Sequence, residues 1–373
     1  MKLFINATHF YDKPSGLGVY TQNLVRALLK RYSNVKVFTG NRNIEVSDLH
    51  SLVITPRCIN PRKGTFGHLL RLLWEHSFLW INTIKERPDI LFSTVHEGIA
   101  LPIIKTKQII TIHDLIALRF PHYFKRLKYY FTYFLPAIVE NSYAIVCVSE
   151  STKKDLLTYY KPDKQIYVVY PGYDKRIFFP RKREKFKSFG RYILFVGDMR
   201  PHKNLERLIQ AISKLRHLNF KLLIAGKKDE RFYPALEKIV KDHRIENRIV
   251  FLDYVPLEEL PHIYSCAEAF VFPSLYEGFG LPLIESMACG CPVITSDIPP
   301  IREVCGDSVY YVDPYDTESI AGAIYRILTD PLLRENLRIR GIDRAKAFSW
   351  ERSADEHVKI FEEVMKGNFQ QKL

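Results

Sequence analysis

Short β-rich runs alternate with helical patterns along this 373-residue chain, which predicts a doubly wound α/β architecture with parallel sheets. The runs fall into two sets, and the length is ample for two hydrophobic cores, so two such domains are expected. In the first half the strand candidates are 2–6, 35–38, 90–92, 108–112, 144–148 and 165–170. In the second half they are 192–196, 220–225, 249–252, 269–272, 292–295 and 309–312. After Asn204, apolar Leu205, Leu208, Ile209, Ile212 and Leu215 recur at helical spacing directly behind the strand YILFV. A last amphipathic helix is expected over 350–365, with Val358, Ile360, Phe361 and Val364 on its apolar side. Between the two sets the charged run RKREKFK, Arg181 to Lys187, reads as a solvated linker. Domains of 1–185 and 186–349 follow.

Composition narrows the function classes. Hydrophobic residues make up 47% and charged residues 26%, an ordinary globular balance that excludes disorder and collagen. The longest uncharged apolar stretch, Tyr129 to Val139, is too short for a membrane span. The opening MKLFINATHF enters a strand-like run without the long apolar region of a secretory signal, so a cytoplasmic location is expected. Six scattered cysteines form no zinc spacing and no disulfide framework; Cys289 and Cys291, flanking Gly290, read as buried thiols. Charge is lopsided: residues 1–190 hold 30 Lys and Arg against 14 Asp and Glu, a net of +16, whereas 191–373 hold 25 against 27, a net of −2. The basic half points to an anionic partner: a phosphorylated substrate, an acidic membrane surface or nucleic acid. For nucleic acid there is no zinc spacing, no basic heptad helix and no aromatic ribonucleoprotein motif. A merely soluble cationic surface is the plainer alternative.

Two segments carry chemistry. In VFPSLYEGFGLPLIESMACGCPVI, Val271 to Ile294, a strand runs through Gly278 and Gly280 into a helix with Pro282 in its first turn. Glycines let backbone approach a ligand and the helix start offers free amides, together a seat for a diphosphate. Glu277 and Glu285 can face the same pocket, where carboxylates would accept hydrogen bonds from ribose or sugar hydroxyls. In YILFVGDMRPHKNLERL, Tyr192 to Leu208, the strand ends at Gly197, and Arg200 and Lys203 lie at the carboxyl edge of the same expected sheet, where cations would neutralise phosphate. Either loop alone could be a structural glycine turn or a solvated basic loop. Their joint placement favours an anion site.

Together the two segments resemble the C-terminal domain of retaining GT-B glycosyltransferases of family 4, whose paired glutamates correspond to Glu277 and Glu285. The resemblance continues through PSGLGVYTQNL (Pro14 to Leu24), TIHDL (Thr111 to Leu115), CVSE (Cys147 to Glu150), YPGYD (Tyr170 to Asp174), the segment Ser296 to Asp316 and the closing FSWERSADEH. It implies two Rossmann-like domains facing a central cleft, an acceptor-binding 1–185 closed by the returning helix at about 350–373, and a donor-binding 186–349. The implied reaction moves a hexose from a nucleotide diphosphate sugar to a glycan or polyprenyl-diphosphate-linked hydroxyl, with retention; mannose from GDP-mannose is the expected donor. His113, Lys203 and Glu277 would act on the reacting groups. Gly16, Gly18, Gly197, Arg200, Lys203, Gly278, Phe279, Gly280, Leu281 and Glu285 would bind the donor. For His113 a core or capping role, and for Asp114 a simple helix cap, compete with these assignments. Where many members have Arg after the strand-ending glycine, this chain has Asp198, so Arg200 is the provisional substitute; a nearer set of relatives resembles mannosyltransferases of O-antigen assembly. No Asp-x-Asp occurs, so no metal or other cofactor is expected. GT-B epimerases and glycoside phosphorylases are the alternative within the fold, and a basic nucleic-acid- or lipid-binding protein the alternative outside it.

The stretch Arg119 to Ile138 interleaves Lys125, Arg126 and Lys128 with aromatic residues, which suits the headgroup level of an anionic membrane. A peripheral contact at the inner face of the cytoplasmic membrane is expected there. The alternative is an amphipathic helix packed on its own domain.

Overall fold

The computed structural model describes residues 1–11, 16–42, 44, 51–60, 64–182 and 186–367. The chain divides into two compact units, Met1–Gly172 with Trp350–Leu373, and Tyr173–Ser349. The division falls ahead of the linker expected at 181–187. The reason is local: Phe178 packs toward Tyr264 and the Arg181 amide donates to Ser265 Oγ at 2.9 Å, so this segment is already part of the second unit. Residues 183–185 of the charged run lie outside the described residues.

The first unit holds seven strands: β1 (Leu3–Ala7), β2 (Val35–Thr39), β3 (Leu52–Ile54), β4 (Ile90–Ser93), β5 (Lys107–Ile112), β6 (Ala144–Cys147) and β7 (Gln165–Val168). All pair in parallel, in the order β3-β2-β1-β4-β5-β6-β7. Strand β3 has no counterpart among the expected runs. It is a three-residue edge strand, half-buried throughout, and so lacks the continuous apolar run that a doubly covered strand shows. Every residue of β1 is buried, as that rule requires of a central parallel strand. The helix Trp350–Lys366 belongs to this unit despite its place in the chain. Phe361 packs edge-on against Phe92 at 5.2 Å, Trp350 against Tyr20 at 5.5 Å, and Lys107 Nζ donates to the Val364 carbonyl at 2.5 Å.

Two helical segments of this unit contain a π turn. Gly64–Trp74 passes through Glu75–Leu79 into Trp80–Glu86, and Lys125–Tyr129 passes through Tyr130–Phe134 into Leu135–Glu140. Each inserts one residue relative to a plain α-helix.

The second unit has six parallel strands: β8 (Tyr192–Val196), β9 (Lys221–Ala225), β10 (Ile249–Asp253), β11 (Ala269–Phe272), β12 (Val293–Ser296) and β13 (Tyr310–Val312), ordered β10-β9-β8-β11-β12-β13. In both sheets the strand order reverses beside the first strand, between β1 and β4 and between β8 and β11. Open α/β sheets bind ligands at the carboxyl ends of the strands at this switch point. At the end of β9 a Cβ on Gly226 would lie 1.8 Å from the Gly197 carbonyl oxygen, so the turns after β8 and β9 touch through bare backbone. Among the described residues no helix is long and apolar enough to cross a membrane.

Candidate functional site

The loops that leave β8 and β11 meet. After β8 the chain passes Gly197 and Asp198 into a single 3₁₀ turn, Pro201–Lys203, and Asn204 follows in the left-handed conformation at φ 61°. Asn is among the few residues that tolerate this region. Its side-chain amide donates to the Pro273 carbonyl at 2.9 Å and the Pro314 carbonyl at 2.7 Å, tying the turn to the chain beyond β11 and β13. The Leu275 amide donates back to the His202 carbonyl at 2.7 Å. So fixed, Lys203 Nζ donates to Glu277 Oε1 at 2.7 Å and stands 4.9 Å from the centre of the Phe272 ring. Both charged side chains are largely buried. The two residues expected to act on different parts of a donor are therefore partners of each other here.

Past Glu277, Gly278 leads to Phe279, which is buried with its ring edge-on to Phe348 at 5.6 Å. Gly280 caps the Leu281–Ala288 helix at φ 95°, a conformation closed to side chains, and a Cβ there would lie 2.7 Å from Leu283 Cδ1. Pro282 falls in the first turn, where its missing N–H costs nothing. One turn further in, Glu285 is buried. Burial alone pushes its pKa up to about 7.

Arg200 is half-exposed and pairs with Asp198, its Nε 3.3 Å from Oδ2. Burial would raise Asp198, but Arg200 and Lys203 hold its carboxylate below the usual range. His202 is neutral, lowered to about 3 mainly by burial.

In the first unit, His113 follows β5, and its Nε2 lies 2.9 Å from the Thr94 carbonyl oxygen. A ring nitrogen facing a carbonyl must carry the proton, which leaves Nδ1 as an acceptor. Tyr20 packs edge-on against the imidazole at 4.4 Å, and burial lowers its pKa to about 4. Asp114 accepts the Ile116 amide at 3.0 Å, a turn bond two residues on, while the N-cap of the Ile116–Arg119 helix is Leu115. Gly16 and Gly18 fall in the first turn of the Gly16–Leu29 helix; Gly16 is exposed with no atom within 4 Å of its would-be Cβ, while Pro14 and Ser15 lie outside the described residues. Lys125, Arg126 and Lys128 are all exposed on the short Lys125–Tyr129 helix.

Sequence reasoning overlooked several neighbours. His9 follows β1, and its Nε2 is 2.9 Å from Thr21 Oγ1, which donates to Thr94 Oγ1. Beyond β4, His96 and Glu97 stand beside helix residues His68 and Arg71: Arg71 makes bonds of 2.7 and 2.5 Å to Glu97, and His68 Nδ1 is 3.4 Å from it. Burial would raise Glu97, but Arg71 and His68 hold it well below the carboxylate norm. These pairs lie between 12 and 73 positions apart and carry no motif. Asn204 was legible only as a helix start, and its left-handed backbone is the signal that could have marked it.

Comparison with known proteins places both units in families. Residues 14–176 match the domain family described as Glycosyltransferase Family 4, and residues 178–344 the one described as Glycosyl transferases group 1. The O-antigen chain mannosyltransferase B of Escherichia coli is 26% identical over 93% of this chain and 96% of its own length. The O-antigen chain mannosyltransferase RfbU of Salmonella typhimurium is 32% identical over 77% of this chain and 80% of its own. Among solved structures, the sucrose-phosphate synthase of Thermosynechococcus elongatus superposes with a TM-score of 0.80 at 21% identity, over 98% of this chain and 100% of that one. The Anabaena protein Alr3699/HepE, solved with UDP and glucose, superposes with a TM-score of 0.76 at 15% identity, over 97% and 99%. With two Rossmann-like units of the GT-B kind and both domain families matched in order, this chain belongs to the glycosyltransferases that join a family 4 domain to a group 1 domain.

Proposed function

We propose that this glycosyltransferase moves mannose from GDP-mannose to a hydroxyl of a glycan or polyprenyl-diphosphate-linked acceptor, with retention at the anomeric carbon and without a metal ion. The observation that carries the reading is the Lys203–Glu277 pair at the β8/β11 switch point, with Glu285 buried in the helix that follows Glu277. The names of relatives matched over most of their length favour mannose, and favour transfer over epimerase, phosphorylase or nucleic-acid-binding readings.

Transfer breaks the bond from the anomeric carbon to the β-phosphate oxygen, which keeps the electron pair; the acceptor hydroxyl oxygen bonds the same face of that carbon, and its proton passes to the departing phosphate oxygen. A cation beside that oxygen stabilises the charge developing in the transition state more than the ground state, which is what accelerates the step. Lys203 supplies that cation, with Arg200 on the outer side and the amides at Gly197, Gly278, Gly280 and Leu281 as fixed dipoles. Phe279 holds the loop in place from below. Glu277 releases Lys203 to the diphosphate and accepts hydrogen bonds from the sugar hydroxyls. Glu285 accepts from the ribose. His113, neutral with Nδ1 as acceptor, contacts the transferred sugar or positions the acceptor hydroxyl. Gly16 and Gly18 let the first helix approach the diphosphate. The acceptor comes to the first unit, where Lys125, Arg126 and Lys128 draw it to an anionic membrane surface.

Thermal stabilisation by GDP, UDP, ADP and their sugars tests the donor: the ligand that binds the folded protein raises its melting temperature in step with its affinity. GDP and GDP-mannose should give the largest shift. A larger one with UDP or ADP sugars refutes the mannose reading, and turnover that fails in excess chelator refutes the metal-free step.

A further inference from the structure

The helical segment Gly64–Glu86 presents a row of large apolar side chains to solvent. Phe66, Leu69 and Leu73 are 64%, 53% and 59% exposed, and Phe78, Ile81 and Ile84 are exposed beyond them. An uninterrupted α-helix would rotate the second group away from the first. The π turn at Glu75–Leu79 adds one residue and keeps both groups on the outer side, while Leu72, Glu75, Leu79 and Thr83 stay buried. Monomer surfaces rarely leave so many large apolar groups together without a use.

The surroundings say what kind of surface covers it. The His68 ring stands 5.1 Å from the Tyr130 ring, and Leu72 shares a core cluster with Tyr130, Phe131 and Leu135, so the Lys125–Phe134 segment lies alongside. That neighbour exposes Lys125, Arg126 and Lys128 together with the stacked pair Tyr129 and Tyr133. At the other end Lys85, Arg87 and Lys105 are exposed beside Ile84 and Ile104. Apolar residues fringed by cations and tyrosines fit an interface with negative headgroups above an acyl layer. A second copy of this chain would bring cation against cation.

We propose that the outer row of the Gly64–Glu86 segment enters the acyl boundary of an anionic bilayer. This deepens the membrane contact proposed above, adding an apolar component to the cationic one. The chain has three tryptophans: Trp74 and Trp80 lie on this segment, and Trp350 is buried against Tyr20. Vesicles of phosphatidylglycerol and phosphatidylcholine carrying brominated acyl chains should therefore quench the protein's fluorescence. Part of the binding should survive about 1 M salt, where screening acts within about 3 Å. The triple variant L69E/L73E/I81E, changed only at exposed positions, should lose vesicle affinity at least about tenfold. Protein that pellets at low salt, releases fully at high salt and is not quenched would keep the cationic contact and overturn the insertion. Failure to pellet with any anionic vesicle would overturn both. A triple variant that turns a dimer into a monomer with vesicle binding intact would make the row a protein interface and overturn the proposal. Should the triple variant melt early, Leu73→Glu alone and the quenching of the unaltered protein still decide.

Discussion

At the carboxyl edge of the first sheet stand His9, His96 and His113, lowered by burial to about 4, 3 and 4 and therefore neutral near pH 7. At the same edge of the second sheet stand Lys203, Arg200, Glu277 and Glu285, with the ammonium already engaged by a carboxylate. The strand order is the same in the two units, 3-2-1-4-5-6 with one strand more in the first. One topology thus carries two chemistries: a neutral edge of hydroxyls and imidazoles suited to an uncharged sugar, and a charged edge suited to a diphosphate. The cation in the first unit is spent internally, because Arg71 is held by Glu97.

The comparison breaks most readily at Lys203. Lys203→Ala should lower turnover at least about a hundredfold with the melting temperature little changed, since removing one preorganised charge from a transition state costs that much. Near-normal turnover would leave the second edge without its role. Asn204→Ala should come next. It frees the turn that aims Lys203 and leaves the Pro273 and Pro314 carbonyls without their donor, so a loss of kcat about tenfold is expected together with about 1–3 kcal/mol of stability. Loss of stability with unaltered kcat would show that the anchor does not position the lysine.

Glu285→Gln sharpens the contrast by moving stability and binding in opposite directions. The folded pKa of about 7 lies above the unfolded value of 4.5, so folding takes up a proton between them. The group's cost to stability is absent below about 4.5, grows as pH rises to about 7, and is constant above. Glu285→Gln should therefore stabilise the free protein at pH 8 and leave it unchanged near pH 4, while the donor KM rises about tenfold. In the parent, donor binding should weaken as pH falls below about 7. A flat melting difference across this range would contradict the burial.

A further contrast between the units is in acid stability. In the first unit His9, His96, His113 and His357 all have folded pKa values below the ordinary 6.5, whereas in the second His202 alone among the described residues does so. The stability these residues confer is complete above 6.5 and is lost as pH falls toward about 4. All three tryptophans lie in the first unit, so their fluorescence reads it alone. Its transition should move to lower temperature between pH 7 and pH 5. A transition independent of pH would mean that the imidazoles are solvated.

How much was legible in the sequence differs between the two edges for a physical reason. In the second unit the site residues sit within two loops, each joined to its own strand and helix, so Lys203, Glu277, Gly280 and Glu285 could be read from local wording. Their mutual pairing could not, because hydrogen bonds across two loops leave no trace in spacing. In the first unit the neighbours of His113 come from β1, β4 and a helix far away in the chain, and of that cluster His113 alone was visible. Strand β3 and the domain division at Gly172 were missed because each depends on packing: one on an edge partner, the other on where Phe178 and Arg181 settle. The apolar row was hidden too, since no local rule says which side of a helix remains uncovered.

The bond pair from Asn204 to the Pro273 and Pro314 carbonyls has a bearing on engineering. A graft of the 197–204 turn into another scaffold would not bring its own geometry, because the fixed points lie about 70 and 110 positions downstream. A working transplant needs all three ends together. Donor preference in this architecture is therefore better altered by exchanging the whole second unit than by rewriting one loop.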